Sequence, residues 1–446
     1  MAQTSEQQRE YAHDLLTETE KSLGDGLLPL KVIADPVIYE LEQEKLFPRT
    51  WCFLAHESEI PKPGDYVLRY IGGRDSVIVV RSEDNDVKAY LNICIHRGAR
   101  LVKADMGNTS HFRCTYHGFT YNTDGELIGM PVKEATYGNA SGIEDLGLFE
   151  VRIASYKGMI FGNIEKNAPP LSDFLGDVRF YLDFMIDKTG EGMTFSSPQR
   201  WISHHNWKVS SDNFIQDNYH VMTSHVFMFD MGFLPKNPLV LAGSRVYCGN
   251  GHGVGTNRGI TPDGLVDFPR PIGYPEWWPG VVEKTRKHLP PQQFELWNSL
   301  TQMHGNIFPN LGLIETVNSY RDQDKFPPPF KRFSIFRPTS ADTCEIWHWF
   351  AVENDAPEEY KKASLESCTE STGAAGLVEV DDMENWYNIT QSSLTPSAKH
   401  IKLLYKIGAH EGLDKNWKYP GQASKSGFSE YPGIQFYKTW LKYLFD

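Results

Sequence analysis

The spacing of hydrophobic and polar positions changes along this chain of 446 residues. Residues 1 to about 45 are polar, with Tyr11, Leu15 and Leu16 at helical spacing, and they predict a helix that the extended piece LLPLKVI interrupts. From Trp51 to about residue 165 the apolar runs are short and alternating or β-branched, as in DYVLRYI, DSVIVVR, VKAYLNI and HFRCTY. Turn sequences such as PKPGD, GGRD and NTDGE separate these runs, which predicts an all-β region.

Helical and strand patterns are mixed in the rest of the chain. The stretch 206–225 contains neither Pro nor Gly and predicts a helix, whereas the Gly-rich stretch 226–275 predicts loops over a site. The runs RFSIFRP and EIWHWFAV around TSADT predict an antiparallel hairpin. Helices are expected after Pro357 and over VEVDDMENWYNITQ. We therefore expect an α+β fold with an inserted all-β domain. The expected divisions are an N-terminal segment (1–48) that packs on the larger domain, a β domain (49–167) and the larger α+β domain (168–446).

Charge and composition narrow the possible functions. The formal net charge of −13 argues against a nucleic-acid-binding protein, which is usually basic. No stretch reaches the roughly 18 apolar residues of a membrane span, and the N-terminus lacks the pattern of a signal peptide. We therefore expect a cytoplasmic protein. The six cysteines are not spaced like a disulfide framework, so reduced thiols are available for a metal site.

Two cysteines and two histidines form the first candidate site. Cys94 and His96 follow the pattern C-x-H, and after seventeen intervening residues Cys114 and His117 follow the pattern C-x-x-H. Each half can place two ligands on a tight turn at the end of a strand, so two loops can hold one metal centre. Two thiolates and two imidazoles are the ligands of a Rieske [2Fe–2S] cluster, in which His replaces Cys on one iron and raises the reduction potential. Such a cluster suits an electron relay.

A Cys₂His₂ zinc site is the alternative for these four residues. Zinc fingers usually pair the cysteines first and the histidines second, whereas each half here contains one of each. The order of the ligands therefore favours the iron–sulfur cluster. His111 lies between the two halves, but nothing in its context makes it a ligand, and we expect a surface or strand residue there.

The second candidate site lies in the stretch 206–225, which reads N-W-K-x₃-D-N-x₃-D-x-Y-H-x₄-H. Two imidazoles and one carboxylate on one face of an iron form the facial triad, which leaves positions open for O₂ and substrate. His220 and His225 are five residues apart, so on a continuous helix they point about 140° away from each other. They can bind one metal only if the helix ends or bulges between them. Asp217, on the same helical face as His220, can accept a hydrogen bond from its free ring nitrogen.

Both candidate sites resemble motifs of one enzyme family. The sequence C-I-H-R-G…C-T-Y-H-G-F resembles the Rieske motif of ring-hydroxylating oxygenases, and 206–225 resembles their mononuclear-iron motif. Phe119 stands where many members carry Trp, and Asp212 where Glu is common. The resemblance covers nearly the whole chain and is greatest to the large (α) subunits of naphthalene and biphenyl dioxygenases. It implies an all-β Rieske [2Fe–2S] domain and an α+β catalytic domain with a curved antiparallel sheet and helices.

The resemblance also implies roles for individual residues. It makes His220 and His225 ligands of a mononuclear Fe(II), and it places Asn213 where the family has an Asn near that iron. Asp217 becomes a bridging acid that connects the iron with a cluster ligand, equivalent to His117, of a neighbouring subunit. The implied ligands of the [2Fe–2S] cluster are Cys94, His96, Cys114 and His117.

The third iron ligand is expected in the acidic run G-L-V-E-V-D-D-M-E-N-W, residues 376–386. This run resembles the family segment that supplies a carboxylate, and the family pattern points to Asp382. Asp381 and Glu379 remain open, because helical periodicity does not exclude them. An acidic helix N-terminus stabilised by the helix dipole is the alternative interpretation of the run.

Four apolar residues are candidates for the substrate pocket by their position in the motifs, with ordinary core packing as the alternative. They are Phe214, Val221, Met222 and Val378. An apolar pocket would suit an uncharged arene, and a buried Arg would suit an aromatic acid. The sequence alone places no Arg at the site.

The resemblance implies a terminal oxygenase component of aromatic-compound catabolism that cis-dihydroxylates an aromatic ring with O₂. Its electrons come from NAD(P)H through a reductase and a ferredoxin, and the chain forms a trimer, often with smaller β subunits. External electron partners are needed because the run GNGHGVG has the wrong spacing for a dinucleotide fingerprint. A Rieske monooxygenase that hydroxylates or demethylates, and a Rieske electron carrier without oxygenase activity, are the two alternatives.

Overall fold

The computed structural model contains two compact units. One unit is Phe47–Leu171, and the other combines Met1–Leu46 with Ser172–Asp446. Each is described separately. The structure describes residues 5–138, 146–234, 237–261, 264–318 and 325–445.

The N-terminal segment belongs to the larger unit. It contains α1 (Glu6–Gly24), β1 (Leu27–Pro29) and α2 (Pro36–Leu41). The turn that follows α2 carries the buried Glu42. Its carboxylate accepts hydrogen bonds from Lys208 Nζ at 2.6 Å and from the indole nitrogens of Trp207 and Trp440, both at 2.9 Å. Because a buried carboxylate is stable only with such partners, these contacts attach the segment to the larger unit.

The smaller unit is built from short antiparallel strands, as its alternating sequence predicts. Three sheets have the orders β10-β11-β2, β5-β4-β3-β6 and β7-β8-β9. The described elements of the unit are β2 (Cys52–His56), β3 (Asp65–Ile71), β4 (Asp75–Arg81), β5 (Val87–Leu91), β6 (Met106–Asn108), β7 (His111–Arg113), β8 (Thr120–Asn122), β9 (Leu127–Gly129), the short helix α3 (Lys133–Thr136), β10 (Arg152–Tyr156) and β11 (Met159–Asn163). Its core contains Ile78, Val80, Phe112 and Tyr121, and it also buries Cys94 and Cys114.

The larger unit is α+β, as expected. Its described helices after the N-terminal segment are α4 (Leu171–Leu175), which begins at the boundary, α5 (Val178–Ile186), α6 (Trp207–Gln216), α7 (Phe227–Asp230), α8 (Tyr274–Trp277), α9 (Val281–His288), α10 (Pro291–Ser299), α11 (Glu358–Thr372), α12 (Glu379–Leu394) and α13 (Tyr431–Phe445). Its strands are β12 (Met193–Phe195), β13 (Gln199–Ser203), β14 (Gly243–Tyr247), β15 (Gly253–Asn257), β16 (Ile260–Thr261), β17 (Gly264–Leu265), β18 (Gln302–Ile307), β19 (Leu311–Thr316), β20 (Phe330–Ser340), β21 (Thr343–Glu353), β22 (Lys402–Leu404) and β23 (Gln422–Ala423).

One antiparallel sheet organises this unit. Its order is β12-β21-β20-β19-β18-β15-β14-β23, and β13 also pairs with β21. The predicted hairpin is β20–β21, and the two predicted helices are α11 and α12. No described helix is both long enough and apolar enough to cross a membrane.

The prediction of loops over 226–275 was wrong in its centre, because β14 and β15 are strands of the main sheet. The glycines there are required by close packing rather than by loop flexibility. A Cβ on Gly253 would lie 2.6 Å from the side chain of Ile215 in α6, and one on Gly255 would overlap the ring of His304. Glycine therefore lets α6 and β18 approach the strand, a role that composition does not reveal.

The two faces of the sheet have different chemistry. Ile314 in β19 pairs with both His304 and Arg332, and all three side chains lie on the face covered by α6. Because successive strand residues point to opposite faces, Glu315 and Lys331 lie on the other face. The sheet thus separates a cavity beside α6 from a buried ionic cluster.

The ionic cluster consists of Lys188, Glu315, Lys331 and Glu353, all at most 1% exposed. Glu353 Oε1 accepts hydrogen bonds from Lys188 Nζ and, at 2.5 Å, from Lys331 Nζ. Glu315 Oε1 lies 3.6 Å from the Nζ of each lysine. The hydroxyl of Tyr274 accepts a hydrogen bond from Lys188 Nζ at 2.7 Å and donates one to Glu315 Oε1 at 2.5 Å. The cluster therefore pairs two basic side chains with two acidic ones in the interior of the unit.

We expect Lys188→Met to destabilise the larger unit strongly. The substitution leaves two buried carboxylates with one ammonium, and breaking a buried pair in this way costs about 3–5 kcal/mol. Urea unfolding measures the loss. Lys287→Met is the control, because its pair with Glu283 has side chains 74% and 60% exposed, and its expected change is within about 0.5 kcal/mol. Equal losses in both variants would contradict a structural role for the cluster.

Candidate metal centres

Two loops of the smaller unit have the same backbone hydrogen bonds. Gly98 N donates to Cys94 O at 2.8 Å, and Gly118 N donates to Cys114 O at 2.9 Å. The amide of each cysteine in turn donates to the carbonyl five residues later, at 2.8 Å in both loops. Gly98 and Gly118 have φ of +73° and +72°, which L side chains rarely adopt. The chain therefore forms the same tight turn twice, each time presenting one Cys and one His.

The four side chains are arranged as a pair of thiols and a pair of imidazoles. The rings of His96 and His117 are 4.4 Å apart between centroids at an angle of 73°. Cys94 and Cys114 are both buried. A [2Fe–2S] cluster with two Cys on one iron and two His on the other requires this division.

The protonation of these groups also fits a metal cluster. Burial raises the pKa of Cys114, but the amides of Tyr116 and His117 and the thiol of Cys94 outweigh it and hold the pKa below its ordinary value. Desolvation, His96 and Arg97 lower the pKa of His117. A lowered pKa favours the thiolate and the neutral imidazole, which are the forms that bind a metal. His96 Nδ1 is buried and has no hydrogen-bond partner among the described residues, so it is available as a donor atom.

Neighbouring aromatic rings support the cluster loops. Phe119 stacks on His96 with centroids 4.6 Å apart and an angle of 5° between the rings. The hydroxyl of Tyr121 lies 3.3 Å from Cys94 Sγ. His111 is exposed in β7, three residues before Cys114, and its Nδ1 lies 3.1 Å from Ser110 Oγ.

In the larger unit, α6 ends at Gln216, which is earlier than the sequence predicts. Arg245 Nε donates to the carbonyl of Gln216 at 2.9 Å, and His304 Nδ1 donates to that of Phe214 at 2.8 Å. Carbonyls at a helix end need partners from outside the helix, and these two buried side chains supply them. The expectation that Asp217 shares a helical face with His220 was therefore wrong, because Asp217 has an extended backbone.

Asp217 nevertheless contacts His220 through a different geometry. Its Oδ1 accepts from the amides of Tyr219 at 2.9 Å and His220 at 3.2 Å, which starts a short 3₁₀ turn over His220–Met222. Its Oδ2 lies 3.3 Å from His220 Nδ1. One carboxylate therefore fixes both the backbone and the ring of His220.

The break after Gln216 brings the two histidines to one carboxylate. Asp382 Oδ1 lies 3.3 Å from His220 Nε2 and 3.2 Å from His225 Nε2, and the two rings are 5.0 Å apart between centroids. One ligand atom from each of the three residues lies within 4.8 Å of the others, the one such group among the described residues. Two imidazoles and one carboxylate match the facial triad of non-haem iron sites.

The other two acids of the 376–386 run have different surroundings. Asp381 Oδ2 lies 3.4 Å from His225 Nδ1, on the ring nitrogen that faces away from Asp382. Glu379 is buried and forms an ion pair with Arg332, with Oε2 2.6 Å from Nη1. Asp381 is thus placed to orient His225, as Asp217 orients His220.

The electrostatics of the triad favour a cation. Burial acts to lower the pKa of His220, but Asp217 and Asp382 outweigh it and raise the pKa to about 10. Burial acts to raise the pKa of Asp382, but His220 and His225 hold it well below its ordinary value. A buried carboxylate that stays ionised in this way provides the negative charge that a divalent metal needs.

A cavity lies against the triad. Its lining contains ten apolar residues and fourteen polar or charged ones. The apolar residues are Phe214, Val221, Met228, Leu234, Val240, Leu241, Phe268, Ile314, Val317 and Val378. The polar residues besides the triad and Asp217 are Asn213, Asn218, Thr301, Gln302, His304, Thr316, Asn318, Arg332, Thr372 and Glu379.

Of the four expected pocket residues, Phe214, Val221 and Val378 line this cavity. Met222 does not, because the 3₁₀ turn directs successive side chains differently and Val221 faces the cavity instead. Asn213 lines the cavity from the last turn of α6.

Sequence reasoning missed three buried residues of the site, namely His304, Arg332 and Arg245. They come from β18, β20 and β14, whose side chains reach α6 and the cavity only once the sheet has formed. The alternation of β20 shows that Lys331 and Arg332 lie on opposite faces of the sheet. It does not show which face α6 covers.

Comparison with known proteins agrees with this geometry. Residues 50–156 match the family model of the Rieske [2Fe-2S] domain, and residues 193–404 match that of the ring hydroxylating alpha subunit (catalytic domain). The chain is 32% identical to the biphenyl 2,3-dioxygenase subunit alpha of Rhodococcus jostii, over 94% of this chain and 88% of that protein. It is 30% identical to the N,N-dimethyl phenylurea N-demethylase subunit alpha of a Sphingobium species, over 97% of this chain and 95% of that protein.

A solved structure extends the likeness to the whole fold. The naphthalene 1,2-dioxygenase from Rhodococcus sp. bound to indole superposes with a TM-score of 0.90 at 36% identity, covering 99% of both chains. The chain therefore belongs to the α subunits of the Rieske ring-hydroxylating dioxygenases, oxidoreductases that use a [2Fe–2S] cluster and a mononuclear non-haem iron.

Proposed function

We propose that this chain is a terminal oxygenase component that cis-dihydroxylates an aromatic ring in aromatic-compound catabolism. The observation that carries the proposal is the meeting of His220, His225 and Asp382 beside a cavity whose wall includes ten apolar side chains. A site for electron transfer alone needs no such cavity. The biphenyl and naphthalene dioxygenases among the relatives support the same reaction class.

The proposed ligands follow from the two constellations. His220, His225 and Asp382 bind Fe(II), which when bound supplies the activation of O₂. Asp217 and Asp381 hold the two imidazoles in position, and the apolar side chains of the cavity exclude water from the substrate. The proposed ligands of the [2Fe–2S] cluster are Cys94, His96, Cys114 and His117.

We further propose that Asp217 is the point at which electrons enter the iron site. Besides contacting His220, Asp217 borders a second hollow together with Tyr219, which is 52% exposed. In a trimer, this hollow would receive the cluster loops of a neighbouring chain, and Asp217 would bond to His117 of the partner subunit. A reductase and a ferredoxin deliver electrons from NAD(P)H, and smaller β subunits complete the assembly.

A second candidate is monooxygenation, including oxidative demethylation, by the same residues. The N-demethylase relative aligns over almost the whole chain, which favours this possibility. The two candidates differ in the substrate that the cavity holds and not in the iron ligands.

We expect His220→Ala and His225→Ala each to abolish oxidation of every arene in a panel of aromatic hydrocarbons and aromatic acids. The assay uses the purified protein with a Rieske-compatible reductase and ferredoxin, and products are identified by mass. The visible spectrum of the cluster should remain unchanged, since its ligands belong to the other unit. His204→Ala is the control because His204 is exposed and outside the triad, and it should retain full turnover. Unchanged turnover in both triad variants would instead support a simple electron carrier.

We expect Asp217→Asn to slow turnover at least tenfold, in the range of changes in residues that position metal ligands. The amide carries no negative charge opposite His220, and an NH₂ donor replaces one of the two acceptor oxygens. Rapid-mixing measurements should show normal reduction of the cluster but slow oxidation of the cluster by the iron site. Iron analysis checks that the metal is retained, and a normal rate of cluster oxidation would contradict the proposed entry point.

We expect Cys114→Ser to remove the cluster and leave the mononuclear iron. Metal and sulfide analysis should change from three irons and two sulfides per chain, the sum of a [2Fe–2S] cluster and one iron, to about one iron and no sulfide. Cys248→Ser is the matched control, because Cys248 is equally buried but far from both sites in sequence. A colourless wild-type protein that contains zinc would contradict the assignment.

A further inference from the structure

Arg332 and Glu379 place a buried ion pair in the wall of the substrate cavity. Arg332, on β20, is 3% exposed at its side chain, and Glu379, the first residue of α12, is 1% exposed. Arg332 Nη1 lies 2.6 Å from Glu379 Oε2, and both residues line the same cavity as the iron triad. The guanidinium also lies over the ring of Phe214, 5.0 Å from its centroid. Contacts on two sides therefore fix the plane and position of the guanidinium.

One N–H donor of this fixed group is left without a partner among the described residues. Arg332 Nε is inaccessible to solvent and has no hydrogen-bond partner among the described residues. A buried N–H without a partner is rare, because water has been lost and nothing replaces it. In a substrate site, the expected replacement is an acceptor atom of the substrate.

The charge of the pair limits which acceptor fits. Glu379 already holds the guanidinium, so an aromatic carboxylate would have to displace a carboxylate that is fixed at the start of α12. An uncharged carbonyl, nitro or amide oxygen needs no such exchange. The same cavity is also lined by Phe214, Ile314 and Val378, apolar side chains that suit an aromatic ring.

We propose that Arg332 is a specificity-determining residue that selects aromatic substrates carrying an uncharged hydrogen-bond acceptor over plain hydrocarbons and over aromatic acids. The proposal rests on the proposed function of the cavity as the substrate site. Arg332 positions the substrate through its Nε–H, and Glu379 and Phe214 hold that donor in place.

The test uses three ligands of nearly equal size and shape. Acetophenone carries an uncharged carbonyl, cumene lacks an acceptor, and benzoate is an anion. Dissociation constants are measured by equilibrium dialysis at pH 8 with the iron-loaded holoenzyme and without reductant, so that no turnover occurs. Steady-state kcat/KM for the same compounds is measured separately with the electron partners.

Arg332→Lys is the informative variant, because lysine keeps the charge that Glu379 requires but lacks Nε and the planar fork. Arg337→Lys is the matched control. Arg337 lies on the same strand and forms a similar pair with Glu345 at 2.5 Å, but it does not line the cavity. Unchanged iron content and cluster absorption verify that both variants are folded and loaded.

The wild type should bind acetophenone about tenfold more tightly than cumene or benzoate, the effect of about one hydrogen bond to a charged donor. Arg332→Lys should raise the dissociation constant of acetophenone about tenfold and change that of cumene by less than about twofold. Arg337→Lys should change neither dissociation constant. Equal weakening of acetophenone and cumene, no change in either, or tightest binding of benzoate would overturn the proposal, as would a wild type that binds none of the three. Oxidation of other arenes in the panel decides the proposed function independently of these results.

Discussion

The end of α6 at Gln216 is the constraint on which the iron site depends. Two histidines five residues apart diverge by about 140° on a continuous helix and cannot reach one metal. The chain stops being helical because Arg245 and His304 satisfy the carbonyls at the end of α6. Asp217 then starts the next turn with its side chain. Only after this change of direction can His220 and His225 both approach Asp382 from α12.

The antiparallel sheet supplies the residues that hold this arrangement. His304 and Arg245 come from β18 and β14, and glycine at 253 and 255 allows α6 and His304 to lie close to the strand between them. Alternation along β20 directs Arg332 to the cavity and Lys331 to the balanced ionic cluster on the other face. The same sheet therefore shapes the substrate cavity and contains the charges that would be costly if unpaired.

Much of this could be predicted from the sequence because the chemistry is local. Cys94, His96, Cys114 and His117 are close in sequence in two short motifs, and the ring-hydroxylating resemblance identified the family correctly. The fold class and the β20–β21 hairpin followed from hydrophobic spacing. The position of α6's end could not be predicted, because the side chains that terminate it, Arg245 and His304, lie about 30 and 90 residues further along the chain. The strands β14 and β15 were missed because close packing, which no sequence pattern displays, explains their glycines.

The acids near Asp382 illustrate the same limit. Helical spacing leaves Glu379, Asp381 and Asp382 equivalent, and only the distances to His220, His225 and Arg332 separate their roles. Two of them are placed to act on the histidines, and the third fixes an arginine in the substrate cavity.

The central claim is that the triad and cavity perform oxygenation of an aromatic ring with oxygen atoms from O₂. It is tested most directly by turnover of the reconstituted system under ¹⁸O₂ with mass analysis of the product. The account predicts two ¹⁸O atoms in each molecule of a cis-dihydrodiol. One ¹⁸O atom in every product would identify a monooxygenase, and product without ¹⁸O would contradict the claim.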